Sequence, residues 1–368
     1  MMPIYNNSQK DKTSLESFKL EYGKVLKDID VEYITSGVPK YDEEGNITNA
    51  ILFCQTRKRK FSIMQGAHEY LKEMGKFNID DFFFITISPL GTPGSFSPST
   101  SGLRSEFPQY TLKDMVNFKR QFLAENFKIK KIFGIIGEEN GGYEVYTWAC
   151  EYPDDMKFIM VFNSDFKISG YRFIISKGFE AIIESNDDYY NDPYSTSLSK
   201  AMVAINIFLF TQSFSEKTLD NLTNYEIESL VEDFVDEGLS VDIYDLNFRN
   251  NAFLDYDNSD KLSDIKAKTM VIYSDDSIYF NQHVDIDILK ENIPDLKISS
   301  YQSTKENYYD EEDYSIVGEE VISFLNECLD IEWFFLWEIP SLKAKNFNLY
   351  FVTVNLLLDK VVLQAAMG

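Results

Sequence analysis

The sequence predicts an α/β fold in which a mostly parallel central sheet is flanked by helices and carries a helical cap insertion. Several short runs are continuously apolar and rich in β-branched and aromatic residues, which is typical of strands buried on both faces. These runs alternate with segments of helical periodicity, and such alternation favours parallel strands joined by right-handed crossovers. A long helical stretch separates the last two strands from the others, so we expect an insertion in the sheet.

The strand predictions rest on composition and on the turn residues at each end of a run. The helix predictions rest on apolar residues spaced by three and four, as with Met115, Phe118, Phe122 and Leu123. The predicted strands cover residues 31–37, 50–54, 81–87, 132–137, 158–162, 269–273 and 296–301. The predicted helices include residues 112–127, 197–210, 225–237 and 316–325.

A chain of 368 residues is long for one compact core, so we expect a core with an insertion. The predicted organisation is a polar N-terminal lead at residues 1–20, a core at 21–166 and 257–327, and a helical cap at 167–256. An apolar C-terminal extension follows at residues 328–368. Its apolar density favours packing on the domain or in a homodimer over contact with a membrane surface, and an altered reading frame is a further alternative.

Composition limits the possible partners. The chain has 35 Lys and Arg against 60 Asp and Glu, a net charge of −25, which disfavours nucleic acid. Three widely separated cysteines argue against a disulfide framework and favour a reducing cytoplasm. The polar start lacks the apolar core of a signal peptide, and no apolar run is long enough for a membrane span. We assign no cofactor and no metal ligand from these patterns.

Residues 132–142 have the pattern of a nucleophile elbow, in which a glycine-rich turn joins a strand to a helix and presents one side chain. The β-branched run ends at Gly137, and Gly141 and Gly142 follow the turn. Glycines are needed there because the central residue adopts a strained conformation that leaves no room for neighbouring side chains. The central residue of this turn is Glu139, where a serine is usual.

The chain resembles the homoserine O-acetyltransferase family of α/β hydrolases over most of residues 22–326. The similarity is carried by the order and spacing of several short segments, and it implies the α/β-hydrolase fold. These segments are Asn49 to Cys54, Gly75 to Asp81, Gly91 to Gly94, Phe107 to Met115, the elbow, Tyr225 to Ser229 and Asp245 to Asn247.

The resemblance implies a serine nucleophile, a histidine base and an orienting aspartate that together transfer an acyl group from acyl-CoA to a hydroxyl. By position, Glu139 replaces the serine and Glu306 replaces the histidine. Asp276 keeps the aspartate, with Asp275 as its close rival. The chain's histidines, His68 and His283, fall elsewhere and are interpreted as ordinary surface residues.

The resemblance also implies an oxyanion hole built from two loops. Its positions correspond to Arg57, Lys58 and Asn140, so positive charge replaces small apolar residues. The basic run at residues 57–60 is then either a solvated loop or a neutralising partner for Glu139.

We interpret the chain as a non-catalytic homologue, with a binding or regulatory role and a small-molecule ligand in the former active-site pocket. One alternative is carboxylate chemistry, with a glutamate nucleophile and base or with a metal ion held by the three carboxylates. Residual acyl-CoA-dependent transfer is a second alternative.

Overall fold

The structure is a computed structural model that describes residues 9–54, 81–211, 213–214, 216–275, 285–302 and 318–329. Within these ranges the chain forms one mixed sheet with helices packed around it. The strands are β1 Gln9–Lys19, β2 Val25–Gly37, β3 Ala50–Cys54, β4 Phe83–Ile87, β5 Ile132–Glu138, β6 Met156–Phe162, β7 Lys268–Ser274 and β8 Leu296–Tyr301.

The sheet has the strand order β1-β2-β4-β3-β5-β6-β7-β8. β2 is antiparallel to both β1 and β4, and every later pairing is parallel. Every residue of β3 and β4 is buried, because helices or loops cover both faces of a parallel sheet. The predicted parallel core is therefore confirmed.

The helices follow the predicted alternation. α2 begins at a capping box, in which the Thr111 hydroxyl accepts from the Asp114 N–H and the Asp114 carboxylate accepts from the Thr111 N–H. The helices are α1 Pro98–Ser101, α2 Leu112–Phe127, α3 Asn140–Glu151, α4 Gly170–Glu184, α5 Asp188–Asn191, α6 Thr196–Phe210, α7 Glu216–Asp220, α8 Asn224–Gly238, α9 Ile243–Leu254, α10 Asp285–Asn292 and α11 Gly318–Leu329.

In the sequence, helices α4 to α9 come between β6 and β7, and several of them share an apolar core of their own. Ile175 and Phe179 of α4 pack there with Ile205 of α6 and Tyr244 of α9. Tyr189 and Tyr244 stack with ring centroids 4.6 Å apart. We call this helical segment the cap, and its apolar core is separate from the main core around the sheet.

Two predictions differ from the structure at the chain's ends. The lead was predicted to be polar and outside the core, whereas Gln9–Lys19 forms β1 and pairs with β2 along its length. Leu15 and Phe18 are its buried apolar residues, and an edge strand with one solvated face has little apolar signal. The last predicted helix continues past its predicted end at residue 325 to Leu329, and its predicted start at residue 316 lies outside the described residues.

The chain divides into two units, Met1–Cys328 and Leu329–Gly368. The elements above belong to the first unit, apart from the last residue of α11. The predicted C-terminal extension lies outside the described residues beyond Leu329. In the ranges given above, no helix has the length and apolar content that a membrane crossing requires.

Candidate active site

β5 leads into α3 through a tight turn with Glu139 at its apex. The Glu139 backbone has φ 47° and ψ −120°, a combination that costs a residue with a side chain about 1–3 kcal/mol. Two hydrogen bonds hold it there. The Glu139 N–H donates to the Phe162 carbonyl (3.0 Å), and the Gly142 N–H donates to the Glu139 carbonyl (2.9 Å). The predicted strand, turn and helix are confirmed, and Glu139 is half-buried.

Two glycines make this turn possible. A Cβ atom at Gly137 would lie 2.5 Å from the Gly141 carbonyl oxygen, and one at Gly142 would lie 2.4 Å from the Ser164 Cβ atom. Neither approach is sterically allowed, so a side chain at either position would displace α3 from the sheet. The close packing of α3 against β5 and β6 thus depends on glycine at both positions.

Asn163 connects the carboxyl ends of three strands next to the turn. Its N–H donates to the Ile272 carbonyl (2.8 Å), and its Oδ1 atom accepts from the Ser274 N–H (2.8 Å). Its Nδ2 atom donates to the Tyr301 hydroxyl. Ligand sites of α/β sheets lie outside the carboxyl ends of their strands. The sheet edge beside Glu139 is therefore held by side-chain hydrogen bonds as well as by the strand ladder.

The cap contacts the elbow through Arg172, in the first turn of α4. Its Nη2 atom donates to Oδ1 of Asn140 (2.7 Å), and its Nε atom donates to the Tyr143 hydroxyl (3.1 Å). Burial raises the pKa of Tyr143; the Arg172 cation opposes this shift, and the Glu139 carboxylate adds to it. A guanidinium of the cap thus contacts the residue that directly follows Glu139 and a tyrosine one turn further along the elbow helix.

A cavity of about 420 Å³ lies between the elbow helix α3 and the cap helices α6, α8 and α9. Its size falls within the range of small-molecule sites. One wall is formed by Asn140 and Glu144 of α3. The cap contributes Asn206, Asp245 and Arg249 to the walls. Because Asn140 directly follows Glu139, the cavity begins at the elbow.

Two carboxylates in the cavity wall are almost fully buried and have direct partners. Glu144 forms an ion pair with Lys119 of α2, with 2.7 Å between Oε2 and Nζ. Asp245 accepts hydrogen bonds from the N–H and the hydroxyl of Ser99, at 2.8 and 2.5 Å. Burial raises the pKa of Asp245, and the two Ser99 hydrogen bonds oppose this rise. These contacts offset the cost of taking the charges out of water.

Comparison with known proteins identifies the family. No family model matches the chain. It is 32% identical over 289 residues to a probable acyltransferase of Methanothermobacter thermautotrophicus, covering 78% of this chain and 89% of that protein. It is 28% identical over 306 residues to a homoserine O-acetyltransferase of Chloroherpeton thalassium, covering 74% of this chain and 79% of that protein. The chain belongs to the homoserine O-acetyltransferase family.

A solved structure of this family has the same fold. The crystal structure of a homoserine O-acetyltransferase from Bacillus anthracis superposes with a TM-score of 0.72 at 15% identity, covering 88% of this chain and 98% of that one. The predicted α/β-hydrolase fold is confirmed by this match and by the strand order above.

The catalytic positions of the homoserine O-acetyltransferase family are described only in part. Glu139 and Asn140 are described, and Asp275 is exposed just after β7. Among the described residues, no group of three or more His, Cys, Asp or Glu side chains could hold a metal ion. The predicted site residues that lie outside the described ranges are Asp276, Glu306, Arg57 and Lys58, and His68 and His283 lie outside them as well.

The sequence reasoning missed the site residues that the cap contributes. Arg172 contacts the elbow helix, and Asn206 and Arg249 line the cavity. A signal was present, since Arg172 and Arg249 are the only arginines in the sequence between residues 167 and 256, an otherwise acidic segment. In a member of the homoserine O-acetyltransferase family, two isolated arginines in an acidic cap are candidates for the pocket.

Proposed function

We propose that this protein binds a small molecule in the cavity between the elbow and the cap and does not transfer an acyl group. The observation that carries the proposal is Glu139 at the apex of the elbow, where the family resemblance implies a serine. A serine hydroxyl attacks acyl-CoA and forms a stable ester intermediate. A carboxylate that attacks a thioester forms an anhydride instead, which water cleaves readily, so acyl transfer through Glu139 is disfavoured.

The cavity supports a binding role. It has polar side chains from both the elbow helix and the cap, and Arg172 ties these two parts together beside Glu139. A site of this size with a few convergent polar groups is suited to one small ligand. We therefore propose that the pocket still binds a small molecule although the nucleophile is replaced.

The test is release of coenzyme A from acetyl-CoA in the presence of L-homoserine, followed with a thiol reagent. We expect the wild type, Glu139→Gln and Glu139→Ala to give the same rate as buffer alone. Homoserine-dependent thiol release by the wild type that is lost in Glu139→Gln would contradict the proposal and would favour residual acyl transfer.

Carboxylate chemistry is a second candidate, and the strained Glu139 backbone favours it. A glutamate that only formed ion pairs would not need the strained backbone angles φ 47° and ψ −120°. A nucleophile needs them, because the turn exposes its side chain to the substrate. A Glu139 oxygen would attack a ring carbon of an epoxide. The ring C–O bond would break, and the freed oxygen would take a proton from water. Peptide mass spectrometry after exposure to styrene oxide should then find an ester on Glu139, with Glu139→Gln as the unmodified control.

We also propose that the protein is located in a reducing compartment. Cys54, Cys150 and Cys328 are buried free thiols, which supports a reducing compartment such as the cytoplasm. The predicted homodimer stays a prediction.

A further inference from the structure

Two chain segments connect the cap to the core, and they pair with each other in an antiparallel manner. One follows β6 and the other follows α9. The Ile168 N–H donates to the Tyr256 carbonyl (2.9 Å), and the Asn258 N–H donates to the Phe166 carbonyl (3.0 Å). We call these paired segments the hinge ribbon, which comprises residues 165–168 and 256–258. Because α4 begins two residues after the ribbon, the ribbon positions the cap beside the elbow.

Asp165 is the buried acid of the hinge ribbon, and it is 5% exposed. Its carbonyl accepts from the Tyr256 hydroxyl (3.2 Å), and its Oδ1 atom accepts from the Phe166 N–H (2.7 Å). Its Oδ2 atom is buried and accepts no hydrogen bond from any residue that the structure describes. An ionised oxygen left in this way is costly, so Oδ2 is a place for a proton.

Asp285 of α10 provides an acceptor for that proton. It is 3% exposed, and its carboxyl is close enough to that of Asp165 for a hydrogen bond. The Lys167 ammonium pairs with Asp285, with 3.1 Å between Nζ and Oδ1. Two ionised carboxyls beside one ammonium would leave an unbalanced buried charge. One proton shared by the carboxyls removes it.

The other titratable groups that face Asp165 cannot supply a positive charge. They are phenols of the elbow helix α3 and of the hinge ribbon, and burial raises the pKa of each, so they stay neutral. These phenols are Tyr143, Tyr146 and Tyr256. Burial and the Asp285 carboxylate raise the pKa of Asp165 itself, and the Lys167 ammonium opposes this rise.

We infer that a proton shared by Asp165 and Asp285 fastens the hinge ribbon to the core, so that a rise in pH loosens the attachment of the cap. When the ribbon leaves the core, Asp165 meets water and releases its proton. Opening is therefore linked to the loss of one proton, and it should become about 10-fold more favourable for each pH unit above the ordinary pKa of an aspartate. The increase ends at the folded pKa, where the closed state is ionised as well.

Amide hydrogen exchange across a pH series tests this linkage. The Ile168 and Asn258 amides report opening of the ribbon, because each forms one of its hydrogen bonds. In the wild type, their protection factors, corrected for intrinsic exchange, should fall about 10-fold per pH unit from about pH 5 upward and then level off. In Asp165→Asn, which cannot ionise, both protection factors should be independent of pH.

Two further variants test the pair itself, because a merely structural role would not move the pH at which protection levels off. In Asp285→Asn the like charge beside Asp165 is gone, so protection should level off at lower pH. In Lys167→Met the opposing ammonium is gone, so protection should level off at higher pH. Either variant also keeps the test available if Asp165→Asn does not fold.

Asp257→Asn is the matched control, since Asp257 lies on the same ribbon and is exposed. It should keep the wild-type slope. The amides of the central strand β3 should stay better protected than those of the ribbon at every pH, which shows that the ribbon opens without global unfolding.

Protection factors of the wild-type ribbon that do not change with pH would overturn the inference, as would a wild-type slope that persists in Asp165→Asn. Equal protection of the ribbon and β3 would also overturn it, because the proton would then act on global unfolding alone. Thiol release that depends on Glu139 would contradict the proposed function and would leave the exchange results unchanged.

Discussion

The Nη2 atom of Arg172 donates a 2.7 Å hydrogen bond to Oδ1 of Asn140, and this contact ties the first turn of the cap helix α4 to the first residue of the elbow helix α3. The same guanidinium donates to the Tyr143 hydroxyl one turn further along α3. Because the two acceptors lie on one helix, the guanidinium is held at two points. The cap is therefore fixed beside Glu139 by directed hydrogen bonds in addition to apolar packing.

The first prediction concerns this connection. Arg172→Gln should lower the free energy of unfolding by about 1–3 kcal/mol, because it leaves the buried Tyr143 hydroxyl and the half-buried Asn140 amide without their charged donor. In a double-mutant cycle with Asn140→Ala, the coupling energy should be about 0.5–1.5 kcal/mol. Urea denaturation measures both values. Strictly additive losses in the double variant would show that the hydrogen bond contributes nothing to stability.

The second prediction concerns backbone strain at Glu139. Glycine adopts φ 47° and ψ −120° without steric cost, whereas alanine keeps the strain. Glu139→Gly should therefore be more stable than Glu139→Ala by about 1 kcal/mol. Lys200, on the exposed face of α6, is the matched control, and there glycine should be less stable than alanine by about 1 kcal/mol. The same sign at both positions in chemical denaturation would refute strain at the elbow.

Elements whose signal is local were predicted closely. Residues 112–127 carry their helical spacing, and both ends of α2 match the prediction. β8 likewise spans the predicted residues 296–301. β1 was missed because its structure depends on pairing with β2, and only Leu15 and Phe18 point to a buried face. A strand that is stabilised mainly by pairing along its length, with few buried side chains, has little strand signal in its own sequence.

At the candidate site, too, residues in a local motif could be predicted and residues placed by tertiary packing could not. Glu139 could be predicted because the elbow is a contiguous motif whose glycines reveal the turn. The cap residues could not be predicted in this way, since Arg172 and Arg249 reach the elbow and the cavity only through the packing of the cap. The sequence offered Arg57 and Lys58 as candidate cations near Glu139, whereas the described structure places Arg172 of the cap on Asn140, the residue after Glu139.

The third prediction concerns the buried ion pair beneath the cavity. Lys119→Met should cost about 3–5 kcal/mol of unfolding free energy, because it leaves Glu144 buried and uncompensated. Adding Glu144→Leu should recover most of that loss. Lys113→Met is the control, since Lys113 pairs with Glu151 in a more exposed place and should cost no more than about 1 kcal/mol. A double variant as unstable as Lys119→Met alone in urea denaturation would contradict this account.

The fourth prediction is a pH dependence of stability that arises from Asp165, which follows β6. Burial, followed by the nearby carboxylate of Asp285, raises the pKa of Asp165 well above its ordinary value. The Phe166 N–H and the Lys167 ammonium oppose this rise. The folded protein therefore keeps a proton that the unfolded chain releases.

Between the ordinary pKa of an aspartate and the raised one, the folded state binds more protons than the unfolded state. The stabilisation is thus fully present below the ordinary pKa and is lost as pH rises through the folded pKa. Asp165→Asn cannot ionise, so its melting temperature should fall less than that of the wild type between about pH 4 and about pH 8. Hydrogen bonds from Ser195 and Ser197 lower the pKa of Asp188, so its stabilisation is present above the ordinary pKa of an aspartate and is lost as pH falls below it. Asp188→Asn should therefore leave the profile between about pH 4 and about pH 8 unchanged and flatten it only at lower pH. Parallel melting profiles for the wild type and Asp165→Asn would exclude a retained proton at Asp165.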